Sequence, residues 1–313
     1  MAKTPTPVLQ KSVWKRAREN WQMYLFLILP VIYIIIFAYV PMAGLQIAFR
    51  KYSARLGIWG SKWVGLANFE KFVKSYYFGT TLKNTLRLSV YSIVFGFPLP
   101  ILMALLLNCI KSERYRGIAQ TITTLPHFIS VVVLVGIMFQ LFNARYGLYG
   151  VVMRGVFGVV PEDPFATASN FPHFYIWSGI WQATGWNAIV YVAALSSVDP
   201  SLHEAAVVEG ASRLQRVLHV DLPAILPTIV IMLILRMGSV MSIGFEKAYL
   251  MQNSVNLSYS EVISTYVYKQ GLESSNADFS YATAIGLFNS IVNLVMISLT
   301  NFISGRLTSS SLW

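Results

Sequence analysis

The sequence predicts an all-α, polytopic membrane protein with six transmembrane helices. Of its 313 residues, 55% are hydrophobic and 12% are charged, whereas soluble domains carry about 25% charged residues. Five long stretches contain no Asp, Glu, Lys or Arg, and a sixth is interrupted by a single arginine. Because a bilayer core requires about 20 residues of apolar helix and disfavours charge, this composition excludes an ordinary soluble enzyme.

The uncharged stretches set the order of the spans. They cover 20–49, 88–110, 117–144, 164–198, 222–245 and 279–305. The first is longer than the apolar core of a cleaved signal peptide, so we expect it to remain as a span. The fourth begins with a polar loop over 164–172, which places its helix at about 174–197.

Charge and cysteine content limit the partners and the compartment. The formal net charge of +11 would favour nucleic acid in a soluble protein, but in a membrane protein it is typical of cationic loops, so no nucleic-acid partner is expected. Cys109 is alone, which excludes a disulfide scaffold. Cations divide almost evenly between the two sides, but the cluster at 11–18 favours a cytoplasmic N-terminus.

The predicted organisation is one membrane domain with short ends. We expect a cytoplasmic N-terminal segment at 1–20, a six-helix domain at 21–306 and a C-terminal tail at 307–313, which is also cytoplasmic. The domain includes a loop at 199–223 between spans four and five.

That loop carries the most informative local pattern. Asp199-Pro200 is a helix-start signal, because the carboxylate can cap free N–H groups and proline fits the first helical turn. We expect a short helix over 201–209, a sharp turn at Gly210 and a second short helix over 211–219, before Leu222-Pro223 opens span five.

The first loop helix has the properties of a mechanical coupling element. Ala205 and Ala206 give it a small surface, flanked by Glu204 and Glu209. Small side chains allow close approach to a groove on a partner, and a capped helix moves as a rigid body.

The same loop resembles the EAA loop of permease subunits in binding-protein-dependent ABC importers. That signature is Glu-Ala-Ala, three residues, Gly, nine residues and Ile-x-Leu-Pro. Here it reads Glu204-Ala205-Ala206, Gly210 and Val220-Asp221-Leu222-Pro223, with Val220 in place of Ile. Segments 64–69, 84–86 and 125–126 are similar to sugar-type permeases. Segments 245–249, 281–284 and 309–313 resemble the subgroup that imports oligosaccharides, including uronate-rich plant or algal fragments.

The resemblance implies a type I ABC importer permease fold and a transport role in the cell membrane, without enzymatic activity of its own. It implies a second permease subunit, which is expected to be a paralogue, together with two ATPase subunits and an external solute-binding protein. The chain has no G-x-x-x-x-G-K-[ST] motif, so we expect ATP and Mg²⁺ on the ATPase and no cofactor on this chain. The residues that the resemblance assigns to ATPase coupling are Glu204, Ala205, Ala206, Glu209, Gly210, Leu222 and Pro223.

Span four supplies candidate contacts to a sugar. Aromatic faces and planar polar side chains bind sugars, and this span carries Trp177, Trp181, Trp186, Asn187 and Tyr191. The first two lie four residues apart and share a helical face. The alternatives are an interfacial aromatic belt or packing for the aromatic residues, and an interhelical hydrogen bond for the asparagine.

Arg236 is the one formal charge inside a predicted span. Such a cation usually faces a water-filled cavity or a partner. It could hold the carboxylate of an acidic sugar, or it could pair with Glu246.

Two other functions remain open at this point. The chain could be an importer permease for another solute, such as glycerol phosphate or an amino acid. It could also be a polytopic enzyme such as a lipid-linked glycosyl transferase, which would need carboxylates or histidines clustered at one membrane face. The acidic residues are scattered, and no His or Cys spacing indicates a metal site.

Overall fold

The computed structural model describes residues 19–308, 311 and 312. The predicted end segments, 1–20 and 307–313, therefore lie largely outside the described residues. The α-helices are Trp21–Ile34, Val40–Met42, Gly57–Gly60, Ala67–Val73, Tyr76–Tyr91, Pro98–Asn108, Glu113–Thr124, Val131–Leu141, Leu148–Phe157, Phe171–Leu195, Pro200–Val208, Arg213–Arg216, Leu222–Met237, Phe245–Met251, Leu257–Ser260, Ile263–Tyr268 and Phe279–Thr308.

Shorter elements join these helices. The 3-10 helices are Ala43–Phe49, Leu125–Phe128, Pro164–Ala166 and Ala168–Asn170, and the π-helical turns are Ile35–Tyr39, Ser92–Gly96, Val217–Asp221 and Lys269–Glu273. The strands Arg50–Ser53 and Ser61–Trp63 form an antiparallel ribbon in which Arg50 is opposite Trp63. The Tyr52 N–H donates to Ser280 Oγ at 2.8 Å, which ties this ribbon to the last helix.

The arrangement of helices is consistent with the six predicted spans. In the described part of the chain, four continuous stretches are long and apolar enough to cross a membrane: Trp21–Phe49, Tyr76–Asn108, Arg213–Met237 and Phe279–Arg306. The helices that make up the third predicted span form a bent pair. The fourth predicted span is a helix of 25 residues, Phe171–Leu195, which is long enough to cross a membrane but is not among those four stretches.

The second span begins earlier than the sequence suggested. Its helix starts at Tyr76 rather than near 88, because Ser75 caps it by accepting a hydrogen bond from the Phe78 N–H at 3.2 Å. The helix therefore includes Arg87, whose guanidinium lies 4.6 Å from the centre of the Tyr259 ring. Counting uncharged residues found the apolar part of this helix and missed its polar first turns.

The third predicted span, 117–144, is bent by 95° between its two helices. The break follows Pro126 in the 3-10 turn Leu125–Phe128, after which Ile129 is extended. Ser130 then caps a new helix by accepting from the Val133 N–H at 3.3 Å. A proline and a new cap together stop the first helix and start the second.

The fifth span also differs from its prediction, since Leu222-Pro223 does not open it. The helical stretch begins at Arg213 and continues through the π-turn Val217–Asp221 into Leu222–Met237. Pro223 has no N–H to donate to the preceding turn. The wider π-turn before it lets the helix continue without that hydrogen bond. The second loop helix and span five are thus one continuous stretch.

Span four packs closely against its neighbours in the bundle, whereas most of span one does not. Gly185 in span four passes so close to the third span that an added Cβ would lie 2.1 Å from the Thr123 carbonyl oxygen. By contrast, every residue from 21 to 42 is exposed in this chain. The first span therefore depends on lipid or on another subunit to cover it.

We expect Gly185→Ala to destabilise the bundle, because the new methyl group meets backbone that cannot turn aside. Overpacking of this kind costs about 1–3 kcal/mol. The matched control is Gly136→Ala, where nothing lies within 4 Å of the added atom and alanine improves helix propensity. The midpoint of thermal unfolding in detergent should fall for the first variant alone, and equal midpoints would contradict the packing described here.

Candidate functional site

The loop between spans four and five forms the helix and turn that the sequence predicts. The Asp199 carboxylate accepts a hydrogen bond from the Ser201 N–H at 2.9 Å, and Pro200 occupies the first turn. This bond holds the pKa of Asp199 below its usual value. Gly210 follows the helix, and its φ is 81°. This backbone conformation is left-handed, and residues other than glycine adopt it only at a cost in free energy.

The loop presents a largely exposed surface. Ala206 is half-buried, while Glu204, Ala205, Glu209 and Gly210 are exposed. A groove of about 710 Å³ runs between the loop helix and the start of span five. Among the residues assigned to coupling, it is lined by Ala205, Ala206, Glu209 and Pro223. The other three, Glu204, Gly210 and Leu222, lie outside its lining.

Apolar side chains add to this surface. Val208 is 88% exposed and Leu214 is 67% exposed. The second loop helix is fixed by a capping box, in which Ser212 and Gln215 bond each other's backbone N–H. A rigid, exposed surface with apolar side chains is typical of a docking site for another protein.

One buried carboxylate joins the loop to two spans. Asp221 is 3% exposed, and its Oδ1 accepts a hydrogen bond from Asn108 Nδ2 at 3.2 Å. The same oxygen lies 3.2 Å from His203 Nε2 on the loop helix. Asp221 thereby links the loop helix, the end of span two and span five, and we call this trio the Asp221 clamp. The sequence pattern did not predict this clamp. The available signal was the carboxylate of Asp221, which stands at the x position of the otherwise apolar Ile-x-Leu-Pro signature.

A cavity of about 540 Å³ lies among spans two, four and five and the helix Phe245–Met251. It is lined by three of the predicted substrate contacts, Asn187, Tyr191 and Arg236. The Arg236 guanidinium donates to the Ser92 hydroxyl of span two. The suggested pairing with Glu246 is not formed, since that side chain is exposed outside the cavity.

The cavity contains a second basic side chain that sequence reasoning missed. Lys247 is 8% exposed. Its Nζ donates to the Tyr175 carbonyl oxygen at 2.7 Å and lies 4.9 Å from the centre of that ring. Lys247 belongs to segment 245–249, which resembles the oligosaccharide-importing subgroup, but the residue pattern did not predict that this segment folds back into the bundle.

The three tryptophans of span four lie away from the cavity lining. Trp177 Nε1 donates to the Tyr91 hydroxyl at 3.0 Å. Trp186 stacks on the His127 ring, with ring centres 4.3 Å apart. Trp181 is 54% exposed. A role of these three tryptophans in sugar binding stays a prediction.

Comparison with known proteins identifies the relatives of this chain. A model of the binding-protein-dependent transport system inner membrane component family matches residues 96–309. Protein LplB of Bacillus subtilis is 39% identical over 95% of this chain and 92% of that protein. The polygalacturonan/rhamnogalacturonan transport system permease protein YteP of the same organism is 39% identical over 96% of this chain and 95% of its own.

Solved structures agree with these relatives. One chain of a bacterial ABC transporter involved in the import of the acidic polysaccharide alginate superposes with a TM-score of 0.85 at 38% identity, over 95% of this chain and 99% of that chain. A chain of a bacterial alginate ABC transporter in complex with an alginate pentasaccharide-bound periplasmic protein gives a TM-score of 0.86 at 37% identity, over 96% and 99%.

We expect Asp221→Asn to lower the free energy of unfolding by about 1.5–3 kcal/mol, as is usual for a hydrogen bond to a charged group. The control is Asp199→Asn, because asparagine caps a helix as well as aspartate. In a His203→Gln background the Asp221→Asn change should cost less, since the partner is already altered. Additive effects in denaturant unfolding would show that the Asp221 clamp contributes no shared energy.

Proposed function

We propose that this chain, which belongs to the family of binding-protein-dependent transport system inner membrane components, carries an acidic oligosaccharide. Its relatives show that it is a permease of the sugar-importing ABC transporter type. The observation that carries the substrate class is the likeness at 38% identity, over nearly the whole chain, to a subunit of an alginate importer. The likeness to a polygalacturonan/rhamnogalacturonan permease supports the same class.

Coupling to a separate ATPase is proposed for the loop helix Pro200–Val208. Three features support it. The helix is exposed, its start is fixed by the Asp199 cap, and the Asp221 clamp ties it to spans two and five. A push on this helix by a closing ATPase would therefore reach the bundle. In this proposal two ATPase subunits bind ATP and Mg²⁺, and this chain binds no cofactor.

The rest of the proposed assembly is supported by the exposed first span and by the resemblance to importer permeases. The residues of the first span from 21 to 42 are exposed, so a second permease subunit, together with membrane lipid, would cover them. We take that subunit to be a paralogue. An external solute-binding protein would deliver the substrate, and both termini would lie in the cytoplasm.

We expect Gly210→Val and Glu204→Trp to abolish recovery of the ATPase with the permease and ATP-driven uptake. Valine is strained at a φ of 81°, and tryptophan fills the space that a partner needs. The control is Gly158→Val, since Gly158 has a similar φ of 64° in the loop that follows span three. Copurification without crosslinking and uptake into proteoliposomes check this. If association and uptake survive both loop changes, the coupling role is wrong.

The substrate class has its own test in proteoliposomes that contain the complete importer and its binding protein. Uptake of an oligouronate trimer is expected, and uptake of glycerol phosphate or amino acids is not. Preferential uptake of either of those solutes would replace the proposal with the alternative kind of importer permease.

A further inference from the structure

We propose that Arg236 and Lys247 together form a carboxylate-binding site inside the cavity, which makes the permease itself select acidic over neutral oligosaccharides. This inference rests on the proposed function and adds to it a location and a pair of residues. Selection would then occur within the membrane part of the importer as well as at the binding protein.

The first argument is the charge of the cavity wall. Arg236 and Lys247 are its charged residues, and no Asp or Glu among the described residues lines it. The acceptors that hold the two cations are both uncharged, namely the Ser92 hydroxyl and the Tyr175 carbonyl. Neutral dipoles orient a cation without cancelling its charge, so the cavity keeps a net positive potential.

The second argument is the free energy of that charge. A cation removed from water is costly unless an anion or another strong partner compensates for it. Lys247 is 8% exposed, and the hydrogen-bond acceptor of its ammonium is the neutral Tyr175 carbonyl. A carboxylate beside the ammonium would compensate for the contact with water that burial removes. An acidic ligand therefore suits this position.

The third argument is that the cavity lining combines the two cations with uncharged polar side chains. Arg236 lies in the last turn of Leu222–Met237 and Lys247 lies in Phe245–Met251. Span four supplies Asn187 and Tyr191 to the same cavity. Uncharged hydroxyl and amide groups there suit the hydroxyl groups of a sugar ring, while the two cations suit its carboxylate. The volume of about 540 Å³ is in the range of small-ligand sites.

The test uses the complete importer in proteoliposomes and two ligands of equal length. One is a galacturonate trimer, and the other is the same trimer with its carboxyl groups reduced to alcohols. We measure KM and the maximal rate of ATP-driven uptake for each. Arg236→Gln and Lys247→Gln should each raise the KM for the acidic trimer about tenfold or more, as expected for the loss of a charged hydrogen bond. The KM for the neutral trimer should stay the same.

Conservative and control variants separate binding from folding. Arg236→Lys and Lys247→Arg keep the charge and should retain most of the preference for the acid. Lys62→Gln removes an exposed cation from the short ribbon and should change neither KM. Recovery of the ATPase with each variant reports on assembly. If the buried Lys247→Gln variant fails to assemble, the KM values of Arg236→Gln for the two trimers alone test the carboxylate site.

The outcomes distinguish this inference from the function on which it rests. Uptake of neither trimer by the unaltered importer would overturn the proposed function. Uptake of the acidic trimer with an unchanged KM in Arg236→Gln would overturn the site and leave the function standing. An equal rise in KM for both trimers would assign the two residues to cavity shape, and the carboxylate site would be rejected.

Discussion

The buried carboxylate of Asp221 joins the loop helix to the bundle, and the proposed coupling depends on that connection. The loop helix buries almost nothing of its own, so its position relative to the spans rests on the contacts of Asp221 with His203 and Asn108. The same continuous helix carries Arg236 fifteen residues further on, about 22 Å away at 1.5 Å per residue. One helix therefore has the clamp near one end and lines the cavity at the other, so the proposed coupling would run from the loop to the cavity along this helix.

Local signals in the sequence were sufficient to predict the loop. Asp199, Pro200 and Gly210 act through their own backbone and their nearest neighbours, so their effects do not depend on the rest of the fold. The order of the spans could also be predicted from the uncharged stretches. The bilayer requires every span to be a helix with few charges, whatever its neighbours are. Where the start of a helix depended on a cap outside the apolar stretch, as at Ser75, counting charges placed the boundary twelve residues too late.

Tertiary contacts explain the parts that the sequence did not predict. Helical spacing puts Trp177 and Trp181 on one face, but it does not predict which residues that face contacts. Trp177 donates a hydrogen bond to the Tyr91 hydroxyl and does not line the cavity. Arg236 was recognisable because a charge in an apolar stretch is rare. Lys247 was not, since a lysine after a span looks like any loop cation until the chain folds back and its Nζ reaches Tyr175.

The apolar side chains on the loop have a consequence for the life of the subunit before assembly. Val208, Leu214 and Val207 are 88%, 67% and 54% exposed in the single chain, and water-facing patches of this kind favour aggregation. In the proposed assembly, an ATPase would cover these side chains. A copy of the permease made in excess of that partner would then leave them exposed to water, where they favour self-association.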